Sequence, residues 1–311
     1  MADSNLSTTE QVSTIWNLGG LTVRQLLKRV YAGIDQDNLI GRAAELAFNF
    51  VLALFPLFIF LFSLLGLFAS RGSTLRDNLF SYVYQVLPPD AAHVIANTLH
   101  EVMLNASNGK LTFGIVLTIW FASGGMSSMF SALNGVYEVR ETRSFIKVRA
   151  LSFVLTVAIS ILIILALIVV LSGGYLADKA GVYFDLQNAA VNTWKILQWP
   201  VAITFVTLAF SVIYYFAPDV EEQHWYWITP GSLLGVLLWI AASFGFRAYL
   251  HFFNSYSRTY GSLGAVMILL MWLYVTGFAF LLGGEINAQI EHAAAMRGHP
   301  EAKAPGEKKA A

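Results

Sequence analysis

The stretch ALSFVLTVAISILIILALIVVLS, residues 150–172, carries no charge and only scattered Ser and Thr among its apolar residues. A helix of about 20 residues crosses a ~30 Å hydrocarbon layer, so this run is long enough to span a bilayer. Five more runs of similar character lie at 43–70, 111–133, 198–217, 228–250 and 263–285. Lipid offers no partner to backbone groups, leaving helices or a closed barrel, and continuous rather than alternating apolar runs exclude the barrel. The predicted fold is all-α: a polytopic membrane protein with six transmembrane helices. The composition agrees. Of 311 residues, 57% are hydrophobic and 12% charged, about half of the ~25% charged share of soluble domains. A mean hydropathy of +0.61 leaves too little charge to solvate a globular surface. A soluble enzyme, a disordered chain and a disulfide scaffold all fit poorly.

Nineteen Lys and Arg balance nineteen Asp and Glu. The basic footprint of a nucleic-acid binder is therefore missing, and no nucleic-acid partner is expected. With no Cys there is no disulfide and no thiolate metal site. The six histidines, at 93, 100, 224, 251, 292 and 299, form neither HxH nor HExxH spacing. No P-loop or GxSxG elbow occurs. No metal, cofactor or catalytic residue is expected, and the protein reads as a non-enzyme. The polar start through Gly20 does not resemble a cleaved signal peptide.

Loop cations set the orientation. Twelve lie on one face: Arg24, Lys28, Arg29, Arg42, Arg140, Arg143, Lys147, Arg149, Arg297, Lys303, Lys308 and Lys309. Seven lie on the other: Arg71, Arg76, Lys110, Lys179, Lys195, Arg247 and Arg258. Both termini are thus expected in the cytoplasm. Residues 1–42 form a cytoplasmic segment in which Val23, Leu26, Leu27, Val30, Tyr31 and Ile34 recur at helical spacing. Helix 23–34 reads as amphipathic and interfacial, with a lead-in helix packed on the bundle as the alternative. The membrane domain covers 43–292. Its 71–110 loop, broken at Pro88-Pro89, is expected to form a short helical extracytoplasmic domain. Residues 293–311 read as a disordered tail.

Ionisable and amide groups inside spans are costly and mark candidate sites. On the first span Arg42, Glu45, Asn49, Ala53 and Pro56 fall within about 80° of one another and should face other helices. Glu45 could instead sit at the interface, reaching water or pairing with Arg42. Ser123, Ser127, Ser131 and Asn134 share a face of the second span, suiting close helix packing or a serine-lined cavity. Arg247 lies near the outer end of the fifth span, placed to snorkel or to serve an outer vestibule. Glu285 and Asn287 close the sixth. If these helices are neighbours, Glu45, Asn49, Asn134, Glu285 and Asn287 form a polar cluster open to the cytoplasm.

Three blocks carry a family resemblance: AAELAFNFVLALFPLFIFLFSLLGLF at 43–68, IWFASGGMSSMFSALNGVYEVRETRSFIKVR at 119–149 and NSYSRTYGSLGAVMILLMWLYVTGFAFLLGGEINAQIE at 254–291. Over approximately residues 20–292 the chain resembles the YihY/BrkB family of bacterial inner-membrane proteins, once labelled ribonuclease BN. Tyr260, Gly261, Gly264 and Gly284 stand in the third and most specific block. Where Asn49 stands, the family often carries aromatic residues. The resemblance implies a six-helix inner-membrane protein with both termini cytoplasmic. Family members are linked to serum resistance in a pathogen and to envelope lipid biology, and are often described as transporters. The zero net charge and missing ligand spacing speak against the ribonuclease label.

The leading functional expectation is a transporter or flippase-like translocator of an envelope lipid or anionic precursor. The alternative is a non-transporting scaffold or assembly partner in the cell envelope. Expected partners are membrane lipids, an envelope protein and a second copy of the chain.

Overall fold

The computed structural model describes residues 15–53, 108–183, 188–220, 228–252 and 262–298. Among these the secondary structure is entirely helical. After a 3-10 turn at Leu18–Gly20 come α1 (Val23–Gln36), α2 (39–53), α3 (Asn108–Val136), α4 (Phe145–Tyr183), α5 (Asn188–Phe216), α6 (Pro230–Phe252) and α7 (Ser262–Met296).

Local chemistry starts the first two helices. Thr22 Oγ1 accepts from the Gln25 amide while Gln25 Oε1 accepts from the Thr22 amide, a reciprocal cap that satisfies two otherwise orphaned donors. Asn38, at φ +50°, makes the left-handed turn between α1 and α2, a conformation Asn tolerates well. Its Oδ1 accepts from the Gly41 amide at 3.2 Å.

Four helices among the described residues are long and apolar enough to cross a membrane, at Phe145–Val170, Val191–Phe216, Pro230–Tyr249 and Val266–Met296. The chain is thus a multi-pass helical membrane protein. The expected second span falls on α3, and the start of the expected first span on α2; residues 54–70 and the loop segment 71–107 lie outside the described residues. Two expected boundaries are corrected. The fourth apolar segment begins earlier, at Val191, and runs through Pro200. The sixth does not stop at Glu285: α7 continues to Met296, and Ala293 and Ala294 are buried. The tail set apart from residue 293 therefore starts too early, because these small alanines let the N-terminal segment close on α7. At ~1.5 Å per residue the Val266–Met296 run is about 46 Å long, exceeding the hydrocarbon layer.

The core gathers Leu39, Ala43 and Leu46 of α2, Phe130, Leu133 and Val136 of α3, Leu155 of α4, Ile213 and Tyr214 of α5, and Phe280 and Leu281 of α7. Phe210, Tyr214 and Phe280 stack at centroid distances of 4.9–6.0 Å. Tyr214 donates its hydroxyl to the Phe280 carbonyl, satisfying a buried phenol inside the bundle. A second, smaller cluster joins Leu26 and Val30 of α1 to Ile286 and Ile290 of α7. Helix α1 is therefore packed on the bundle by one face. Val23, Leu27 and Tyr31 on its other side stay exposed, at 63%, 64% and 79%.

Helices α6 and α7 meet backbone to backbone. A Cβ at Gly231 would collide with the Gly283 carbonyl, and one at Gly235 would meet Gly283 Cα at 3.3 Å. Small residues permit this backbone approach where lipid supplies no hydrophobic drive between helices. Gly231→Val is expected to cost about 2–3 kcal/mol by overpacking. Gly245, with nothing within 4 Å of its would-be Cβ, should accept Ala with a gain of about 0.5–1 kcal/mol. Tryptophan-fluorescence melting of both variants checks the contrast.

Candidate functional site

The site centres on Glu285. It sits on α7 about 29 Å along the axis from Val266, at the far edge of the apolar layer. The residue is fully enclosed, with 0% exposure. Its Oε1 accepts from Gln289 Nε2 at 2.9 Å. Oε2 is buried with no hydrogen-bond donor. The Asp37 carboxyl, at the end of α1, lies within hydrogen-bond reach of Glu285. Gly33 of α1 packs so tightly on Glu285 Oε1 that a Cβ there would collide with it. Two neighbouring carboxyls repel when both are ionised, and the pair is relieved when one proton is held between them. Burial raises the Asp37 carboxyl above its ordinary range. The Glu138 carboxylate adds to that rise, while the contact with Glu285 and the Arg42 charge oppose it.

Arg42 ties this corner to α3. Its Nε donates to the Asp37 carbonyl at 2.8 Å and its Nη1 to the Ser131 carbonyl at 3.1 Å. Tyr137 donates to Glu291 Oε1 at 3.3 Å. Burial, followed by the Glu291 charge, holds the Tyr137 phenol well above its usual range.

A second polar knot lies where α3 and α5 end and α4 begins. Asn134 Oδ1 accepts from the Asp219 amide at 2.7 Å, and its Nδ2 donates to Glu141 Oε2 at 2.9 Å. Arg143 forks onto Glu141 at 2.7 Å and donates to the Phe216 and Ala217 carbonyls at 3.2 and 2.7 Å, capping α5 with positive charge. Asp219 Oδ2 accepts from the Thr142 amide and hydroxyl, and Oδ1 lies 3.6 Å from Arg143 Nε. Burial alone would raise the Glu141 carboxyl, but hydrogen bonds from Arg143 and Asn134 outweigh it and hold the group below its ordinary value. This knot fixes geometry: each partner is matched.

Other candidates scatter. Glu45 is exposed, which corrects the expectation that the whole α2 stripe faces inward and agrees with an interfacial carboxylate. Asn49 donates to the Glu45 carbonyl within its own helix. Ser123 is buried, bonded to the Trp120 carbonyl, and Ser127 pairs with Ser152 of α4 at 3.0 Å. The Ser127–Ser152 bond joins α3 to α4, while the Ser123 bond stays within α3. The Ser131 side chain is exposed. Asn287 accepts from the Gly231 amide and donates to Thr229, pinning α7 to the start of α6. Gly284 packs against Leu133 and Tyr214, and Gly264 is buried. Arg247 is exposed on α6. Pro56, Tyr260 and Gly261 lie outside the described residues. Glu285 thus meets Asp37, a residue the sequence reading passed over, rather than Glu45. Its only signal was position: an acid in the turn that joins α1, whose stripe packs on α7, to α2. Among the described residues no group of three or more His, Cys, Asp and Glu could hold a metal ion.

This geometry defines a multi-pass helical membrane protein with a buried carboxyl, Glu285, toward one end of its bundle. The family described as virulence factor BrkB matches residues 30–307, and the chain belongs to it. The ribonuclease-like protein YfkH of Bacillus subtilis is 33% identical over 84% of this chain and 94% of its own length. A UPF0761 membrane protein of Xanthomonas oryzae is 30% identical over 86% of this chain, and one of Rhodospirillum centenum 28% identical over 82%. The chain spans 60% and 54% of those two relatives. No solved structure matches.

Two expectations follow. With the Asp37 value raised above 3.8 in the fold, its stabilising contribution is complete below about pH 3.8 and lost as pH rises through the raised value. Asp37→Asn should therefore melt higher than wild type at neutral pH and match it in acid. Arg143→Gln should cost about 1–2 kcal/mol, since it leaves two helix-end carbonyls without their donor; Arg143→Lys should recover only part of it. Melting curves in lipid nanodiscs read both.

Proposed function

We propose that the protein is a flippase-like translocator of an envelope lipid or anionic precursor. It would sit in the bacterial inner membrane with both termini in the cytoplasm and perform no catalysis of its own. The observation that carries this reading is the enclosed Glu285 carboxyl on an apolar helix, with the half-buried Asp37 carboxyl beside it. A buried carboxyl with one oxygen left without a donor costs free energy that an apolar residue of the same size would not, so its presence points to use. Sharing or releasing one proton changes the charge beneath α1. The α1–α7 contact would tighten with the proton held and loosen without it, a two-state element of the kind alternating access needs. Membrane family membership and the polar residues buried between helices support the same reading. The ribonuclease-like name of the Bacillus relative is not carried over, because a net charge of zero suits RNA poorly.

A second reading, a scaffold for envelope machinery, is favoured by one feature: the exposed Val23, Leu27 and Tyr31 stripe, which suits an apolar partner surface. Complementation of a strain lacking the gene separates the two. Translocation expects Glu285→Gln and Asp37→Asn to insert normally yet fall to empty-vector levels, with Glu45→Gln and Leu27→Glu/Tyr31→Glu near wild type. The scaffold expects the reverse order. Full activity of both carboxyl variants defeats the translocation reading.

A further inference from the structure

Arg149 occupies an unusual place for a cation. It lies one turn inside the Phe145–Val170 apolar run, in a groove between α3 and α4 lined by Trp120, Ser123, Phe145, Ile146, Ala150 and Phe153. Phe145 and Ile146 are 75% and 78% exposed, and Trp120 and Phe153 are also open to the surroundings, so the groove faces lipid. The guanidinium rests on the Trp120 ring at 4.2 Å, and Nη2 donates to the Trp120 carbonyl at 2.7 Å. Nε is buried with no acceptor, and among the described residues no carboxylate pairs with the group. Lys147, two residues away, is exposed and adds a second cation at the same level. A matched pair of Arg and Trp at this depth marks the headgroup boundary, where long cations reach outward and aromatic rings settle.

We propose that this groove is a binding site for an anionic phospholipid, its phosphate on Arg149 and its acyl chain along Ile146, Ala150 and Phe153. Charge complementarity selects the occupant. An unneutralised guanidinium in an apolar groove open to the bilayer has the lipid phosphate as its nearest abundant counter-ion, and basic pockets between membrane helices bind such headgroups. The site is separate from the Asp37–Glu285 pair, and its occupancy does not require that the chain translocate anything.

The test is native mass spectrometry of the full chain released from nanodiscs of phosphatidylglycerol and phosphatidylcholine. Wild type should retain phosphatidylglycerol with about fivefold preference, the effect of one well-placed cation. Arg149→Gln should abolish the preference, while Arg149→Lys keeps most of it and Arg247→Gln, at an exposed arginine on α6, leaves it unchanged. Ile146→Glu, at a position exposed enough to be tolerated in the fold, should abolish it by placing a carboxylate in the groove. That variant decides the matter should Arg149→Gln fail to fold. Equal retention of both lipids by wild type, or a preference that survives Arg149→Gln or Ile146→Glu, overturns the assignment.

Discussion

Hydrocarbon offers a polar group nothing to bind, and that constraint explains how Arg143, Arg149 and Glu285 are placed in this bundle. A charge within reach of lipid must find a partner in the protein, stretch to the headgroups or share its proton. All three solutions occur. Arg143 takes the first, bonded to Glu141 and to the last carbonyls of α5. Arg149 takes the second, lying on Trp120 at the start of α4. Glu285 takes the third, against Asp37. The first is structural, for its partners are complete. The other two leave a bonding capacity unused, and unused capacity in a dry place is where a proton or a headgroup can act.

Helix α7 is the element on which the rest is assembled. Its glycine face accepts α6 backbone to backbone at Gly283, and Asn287 then fastens the start of that helix. Within two turns of Gly283, Ile286 and Ile290 receive α1, and farther along Arg297 bonds the Gly19 carbonyl. The carboxyl of Glu285 lies between these contacts, under Gly33. A charge change there acts on the joint between α1 and α7, not on a passive surface.

Much of this was legible in the residues, and what was not has physical reasons. Apolar runs such as 150–172 announce membrane helices because lipid tolerates little else. Glu285 and Asn287 stood out as polar groups in an apolar run, and both prove buried. Glu45 stood out for the same reason and is exposed, because a single helix's stripe says which residues share a face and not which way that face turns. Asp37 was invisible: it lies in a polar turn, and only the fold of α1 back onto α7 brings it to Glu285. Arg143 and Arg149 read as loop cations useful for orientation, since partners 29 and 73 residues away in the chain leave no local pattern. Helix ends were misjudged where alanines at 293 and 294, weakly apolar by composition, are packed against the N-terminal segment.

The most direct measurement is infrared difference spectroscopy of the protein in lipid nanodiscs as pH is raised from acid to alkaline. A protonated carboxyl band should be present in the wild type, be lost from Glu285→Gln, and move in frequency in Asp37→Asn, where the partner of the bond changes. A wild-type protein with no protonated carboxyl at neutral pH, or a band that neither substitution removes, would contradict a shared proton at the α1–α7 joint.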